Sequence, residues 1–132
     1  MLRMEFIFDT SKKGLETVMQ EYHAICLSFV WEKGEKGVST REAWLHINKI
    51  LIPKEKTISR ASIIQFMRKM EEKGILKYWE RTGKGGYHRV YAPLYTGAEF
   101  KELIAKRVIE KLLEEFKDET DTAISKLLDK KE

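Results

Sequence analysis

Apolar residues along this chain change their spacing from one segment to the next, and each change marks an element. Leu2, Met4, Phe6 and Phe8 alternate with Arg3, Glu5, Ile7 and Asp9, which predicts a short strand, and residues 9–14 read as the turn after it. From about Leu15 to Lys33 the apolar positions Val18, Met19, Tyr22, Ile25, Cys26, Phe29 and Val30 recur at three- and four-residue steps. That spacing predicts a helix with one buried face, closed by Gly34 and Gly37. Ser39-Thr40-Arg41-Glu42 is a capping-box sequence, in which the serine caps the N3 amide and the glutamate reaches back. It starts a second helix, Thr40 to about Leu51, that buries Ala43, Trp44, Ile47 and Leu51. Pro53 blocks its continuation and pushes Ile52 to an extended conformation.

A third helix begins behind Ser59 as cap and runs from Arg60 to Lys73, with Gly74 as a left-handed stop. Ile63, Phe66, Met67 and Met70 are spaced to face the core. The residues from Ile75 to Arg81 then predict a strand, Thr82-Gly83-Lys84-Gly85-Gly86 a flexible tip, and Tyr87 to Ala92 the return strand. Three helices followed by a two-stranded hairpin is the order of a winged helix-turn-helix domain, a mainly α fold with a small β-hairpin.

Thr96-Gly97-Ala98-Glu99 is a second capping box. The helix it starts carries a wide apolar stripe that includes Phe100, Leu103, Ile104, Val108, Leu112 and Phe116. Asp118 to Asp121 breaks the run, and Ala123, Ile124, Leu127 and Leu128 predict a short fifth helix. A small domain has limited room for two more apolar helices, so burial against a second copy is the simpler outcome. The organisation expected is an N-terminal extension over 1–14, a DNA-binding domain over 15–95 and a helical dimerisation region over 96–132.

Composition narrows the class of function. At 132 residues the chain is long enough for one real core. No apolar run approaches the ~18 residues of a membrane span, and the first residues lack the pattern of a secretory signal. The single cysteine, Cys26, cannot form an intramolecular disulfide and reads as a small apolar residue inside a helix, which suits a cytoplasmic protein. Charge is uneven: Pro53 to Tyr91 holds ten basic and four acidic residues, whereas Gly97 to the end holds eight basic and ten acidic. A basic centre beside a near-neutral tail suggests a local polyanion-binding face.

Catalytic patterns are lacking. His23, His46 and His88 are scattered without zinc-ligand spacing, and no nucleophile elbow occurs. Gly83-Lys84-Gly85-Gly86 lacks the spacing of a phosphate loop and lies between two strands. The reading is a protein that is not an enzyme, with no cofactor and no metal. On the third helix, Arg60, Ile64, Gln65, Arg68 and Lys69 are left toward solvent. Gln65 suits adenine, Arg68 suits guanine or a phosphate, and Ile64 can meet a thymine methyl. In the hairpin, Lys84 at the tip and Arg81 and Arg89 on the strands can reach phosphates, as can Thr40 and Arg41 at the start of the second helix. Trp31, Trp44, Tyr78, Trp79, Tyr87 and Tyr91 read as packing under the hairpin rather than as base-stacking platforms.

Ser59-x-x-x-Ile63-x-x-Phe66-Met67-x-x-Met70-x-x-Lys73-Gly74-Ile75-Leu76, followed by a basic hairpin ending in Tyr91-Ala92-Pro93, resembles the penicillinase-repressor family of winged-helix transcriptional regulators. Val18-Met19 and Val30-Trp31 extend the resemblance back, so that it covers roughly Leu15 to Phe116. It implies a homodimer whose C-terminal helices interlock and which represses by occupying a palindromic operator in double-stranded DNA. Ala61 and Ile64 stand where some relatives carry basic residues, and Glu99-Phe100 stands where antibiotic-responsive members are cleaved at an Asn-Phe bond. The alternative is a protein-interaction winged helix in a larger assembly with little DNA affinity. No polar cluster in the sequence defines an effector pocket.

Overall fold

A computed structural model describes residues 6–130, in two compact units, Met1–Thr96 and Gly97–Glu132. The first unit contains α1 (Glu21–Lys33), β1 (Val38–Ser39), α2 (Thr40–Leu51), α3 (Arg60–Glu72), β2 (Leu76–Gly83) and β3 (Gly86–Pro93). The strands form one antiparallel sheet in the order β1-β3-β2. Its core is made by Cys26, Leu27 and Val30 of α1, Ile47 of α2, Ile63 and Met67 of α3, and Val90 and Tyr91 of β3, all buried.

Of the strand expected near the N-terminus, Leu2 and Met4 lie outside the described residues, and residues 6–9 are not in a strand. The first helix begins at Glu21 instead of Leu15. Gly14–Thr17 is a 3-10 turn, the amides of Val18 and Met19 both donate to the Leu15 carbonyl at 3.0 and 3.1 Å, and Gln20 is extended. A three- and four-residue apolar rhythm fits a tight turn followed by a helix as well as one long helix.

The capping box of α2 is formed as the residues predict: the Glu42 amide donates to Ser39 Oγ at 3.1 Å, and the Ser39 amide donates to Glu42 Oε1 at 3.1 Å. Ile52, however, is helical and not extended (φ −54°, ψ −45°). Pro53 sits inside a 3-10 turn, Ile52–Lys54, and the chain reverses two residues later at Glu55, which is left-handed at φ +59°. Backbone amides beyond the proline satisfy the local carbonyls: Glu55 donates to Ile52 and Lys56 to Leu51. The connection into α3 is pinned by buried Asn48. Its Oδ1 accepts from the Ile58 amide at 2.9 Å, and its Nδ2 and Trp44 Nε1 both donate to the Ile58 carbonyl at 3.1 Å. These bonds fix the start of α3 relative to α2.

Ser59 caps α3 by accepting from the Ser62 amide at 3.1 Å. At the other end Gly74 takes φ +77°, with Gly74 donating to the Glu71 carbonyl and Ile75 to that of Met70, a pair of bonds that closes the last turn. The hairpin that follows is regular from Leu76↔Pro93 to Gly83↔Gly86. Its turn is only Lys84-Gly85, tighter than the five-residue tip expected, because Gly85 and Gly86 supply φ of +91° and +101°. The third strand, β1, pairs Val38 with Tyr91 and Ser39 with Val90. Gly37 precedes it, and a Cβ there would stand 2.5 Å from Val90 Cγ1 and 2.6 Å from Trp79 Cη2, so only glycine lets the chain pass this close to the sheet.

The second unit contains α4 (Gly97–Glu115) and α5 (Lys117–Asp129). The break between them falls at Phe116 (φ −138°, ψ 59°), not at Asp118 to Asp121. Asp118 and Glu119 occupy the first turn of α5, where carboxylates suit the positive end of the helix, and Lys117 pairs with Asp121 at 2.8 Å. Thr120 Oγ1 donates to the Leu112 carbonyl at 3.1 Å and ties the two helices. Among the described residues no helix is long and apolar enough to cross a membrane.

Candidate nucleic-acid interface

Two adjoining hollows lie between the start of α2, the exposed flank of α3 and the hairpin. The first, about 430 Å³, is walled by Thr40, Ile64 and Arg68 together with Glu80, Tyr87, His88, Arg89 and Tyr91. The second, about 420 Å³, is walled by Ser39, Thr40, Arg41, Arg60, Lys84, Tyr87 and His88. Thr40, Tyr87 and His88 border both. The convergence follows from the pinned α2–α3 connection and from Gly74, which turns the chain directly into β2.

Seven residues predicted from the sequence meet here: Thr40, Arg41, Arg60, Ile64, Arg68, Lys84 and Arg89. Three others do not. Gln65 is exposed on α3 but borders neither hollow. Lys69 lies beside a separate hollow of about 160 Å³ with His23, Phe66 and Met70, because at 100° per residue it falls on the flank of α3 away from Ile64. Arg81 is exposed and borders neither hollow, although its cross-strand partner His88 borders both.

Charge is distributed less evenly than the composition of the segment suggests. Lys54 and Lys56 bind Glu21 at 2.7 and 3.1 Å, and Lys77 binds Glu35 at 3.0 Å, so these three lysines are compensated. The two lysines also hold the Glu21 carboxyl below its usual range. Arg41, Arg60, Arg68 and Lys84 are exposed and make no ion pair among the described residues. Arg89 differs from them. Its guanidinium lies 3.9 Å from the Tyr78 ring centroid, Nη1 donates to Tyr91 Oη at 3.5 Å, and Glu71 Oε1 is 3.9 Å away. The Tyr91 hydrogen bond is the largest cause of its raised pKa.

Two tyrosines expected to pack under the hairpin are exposed, Tyr78 at 38% and, far more, Tyr87. Tyr87 is 77% exposed and stands in both hollows. Its register partner is Thr82, near the turn, and burial in the hairpin is confined to the other end, at Leu76 and Val90 to Ala92. Distance from the turn, more than residue type, decides exposure in such a projecting ribbon. Glu80, the acidic residue in the first hollow, was likewise not singled out.

The other reactive side chains lie elsewhere. The Cys26 thiol is fully buried in α1 and pushed up to about 12 by desolvation. His23 stacks on Phe66 (centroids 4.0 Å apart, planes at 6°), and burial, then Lys69, pushes it down to about 4. Among the described residues no group of three His, Cys, Asp or Glu side chains could hold a metal ion. No protein-family model and no curated protein sequence matches the chain.

Proposed function

We propose that residues 15–95 are a winged helix-turn-helix domain that binds double-stranded DNA, and that the chain is a homodimeric transcriptional repressor acting on a palindromic operator. The observation that carries the reading is the meeting of four uncompensated cations, Arg41, Arg60, Arg68 and Lys84, with Thr40 and Ile64 around two joined hollows. Arg41, Arg60 and Lys84 suit the phosphate backbone, which positions the protein, and Arg68 and Ile64 suit base edges in the major groove. Repression would be steric, with two copies of α3 about 34 Å apart in successive grooves. Ile109, Leu112 and Phe116 are exposed on the later turns of α4 and its end, and Leu127 and Leu128 on α5, which supports pairing with a second copy there. Phe100 and Ile104 are covered in the single chain, and Leu103 and Val108 are half-covered, so the interface falls toward Phe116.

Selection of a bound sequence from random duplexes, followed by Arg68→Ala on that site, tests the reading. The substitution is expected to cost about 1–3 kcal/mol of specific affinity. Unchanged affinity with the fold intact would remove Arg68 from the interface. A second reading, a protein partner instead of DNA, is favoured by the exposed ring of Tyr87 and by Glu80, a carboxylate that phosphates would avoid.

A further inference from the structure

We infer that Arg89 is a positioning residue, a clamp that holds the hairpin and α3 as one surface, and not a phosphate contact. Its consequence for DNA affinity rests on the proposed DNA binding; the clamp itself does not. Arg89 sits in the middle of β3, opposite Glu80 and diagonal to Tyr78 on the same sheet face. Tyr78 lies under its guanidinium at 3.9 Å, fully buried Tyr91 receives its Nη1–H at 3.5 Å, and Glu71 faces it from α3 at 3.9 Å. Two anchors therefore belong to the hairpin and the third to the helix. The Arg89 and Glu71 side chains are only 33% and 31% exposed, so the pair is shielded more than one at the open surface.

Glu71 follows Arg68 by three residues and Ile64 by seven, which puts all three on one flank of α3. Holding Glu71 against the hairpin therefore sets where Arg68 and Ile64 stand relative to Tyr87 and Lys84. A planar guanidinium can stack on a ring while its edge meets a hydroxyl and a carboxylate, and an ammonium cannot do all three. Arg89 also has its charge answered by Glu71, unlike Arg41, Arg60, Arg68 and Lys84.

The test turns on a sign. Glu71→Gln removes a negative charge beside the proposed polyanion face, so the field alone would tighten duplex binding. The clamp predicts the opposite. Full-length wild type, Glu71→Gln, Arg89→Gln and Arg89→Lys are titrated with the same selected duplex by fluorescence anisotropy over a series of KCl concentrations. Glu71→Gln and Arg89→Gln should each weaken binding about five- to tenfold with an unchanged salt slope, and Arg89→Lys should not restore it. Equal or tighter binding by Glu71→Gln would overturn the proposal. So would a salt slope lowered by about one unit for each Arg89 replaced in the complex, the mark of a phosphate that wild-type Arg89 neutralises. NMR of the free protein judges the clamp without DNA: the Arg89 δ protons should be shifted upfield by the Tyr78 ring in wild type and move toward ordinary values in Glu71→Gln. An unshifted Arg89 in wild type contradicts the clamp, whereas shifted protons in a protein that binds no duplex contradict only the DNA reading.

Discussion

At the scale of single residues, environment overrides type in this protein. His23 could serve as a charge near neutral pH, but its burial, and then the nearby Lys69, keep its imidazole neutral in the folded chain. Its folded pKa of about 4 lies below the ordinary imidazole value of 6.5, so the unfolded chain takes up the proton first as pH falls. Stability should decline between about pH 6.5 and 4 and change no further from this group below that. The slope cannot exceed about 1.4 kcal/mol per pH unit and will be smaller, since the ring is partly open to water. His23→Gln should flatten the fall in melting temperature over this range; equal slopes in the two proteins would contradict the account. Tyr87 and Gly37 show which residue facts a sequence conceals. Alternation along β3 says which face Tyr87 takes but not that this end of the ribbon is left open to solvent. Gly37 was legible as a helix stop, yet the space it keeps clear is filled by Val90 and Trp79, more than 40 positions further along.

Among the elements, the readable ones were those whose ends carry local chemistry. Ser39 with Glu42, Ser59 with Ser62, and Gly74 fix their termini by short-range bonds, so α2 and α3 lie where the residues place them. The element without such marks shifted: α1 has no capping side chain and starts later than its apolar spacing suggests. β1 is two residues long and takes its partners from β3, too short for any period to register. The candidate interface followed the same division. Residues at well-marked helix starts, Thr40, Arg41 and Arg60, came together; of those chosen for side-chain chemistry on an exposed face, Ile64 and Arg68 join them, while Gln65, Lys69 and Arg81 fall outside. Lys84, in the two-residue turn, makes the hairpin's own test. If it neutralises a phosphate, Lys84→Ala should weaken all duplexes alike and lower the salt slope by about one unit for each Lys84 replaced in the complex. A loss that depends on sequence would mean that the turn reads bases.

For the molecule as a whole, the proposed dimer presents two copies of this surface in one particle. Burying Leu112 and Phe116 in a second copy would contribute roughly 1.5–3 kcal/mol for each side chain, and a charge in the same place is costly. Leu112→Asp with Phe116→Asp should convert a dimer in sedimentation to a monomer, with Met1–Thr96 still folded and operator affinity much reduced because the half-sites are no longer linked. A double variant that stays dimeric would put the self-association surface elsewhere. Whether the two hollows receive duplex DNA is decided by wild-type affinity for a selected duplex as KCl is raised. With Arg41, Arg60 and Lys84 each neutralising a phosphate in both half-sites, the logarithm of affinity should fall linearly with the logarithm of salt, at a slope of roughly −5. Duplex affinity that is undetectable at low salt, or indifferent to KCl, would contradict DNA binding and leave the protein-partner reading in its place.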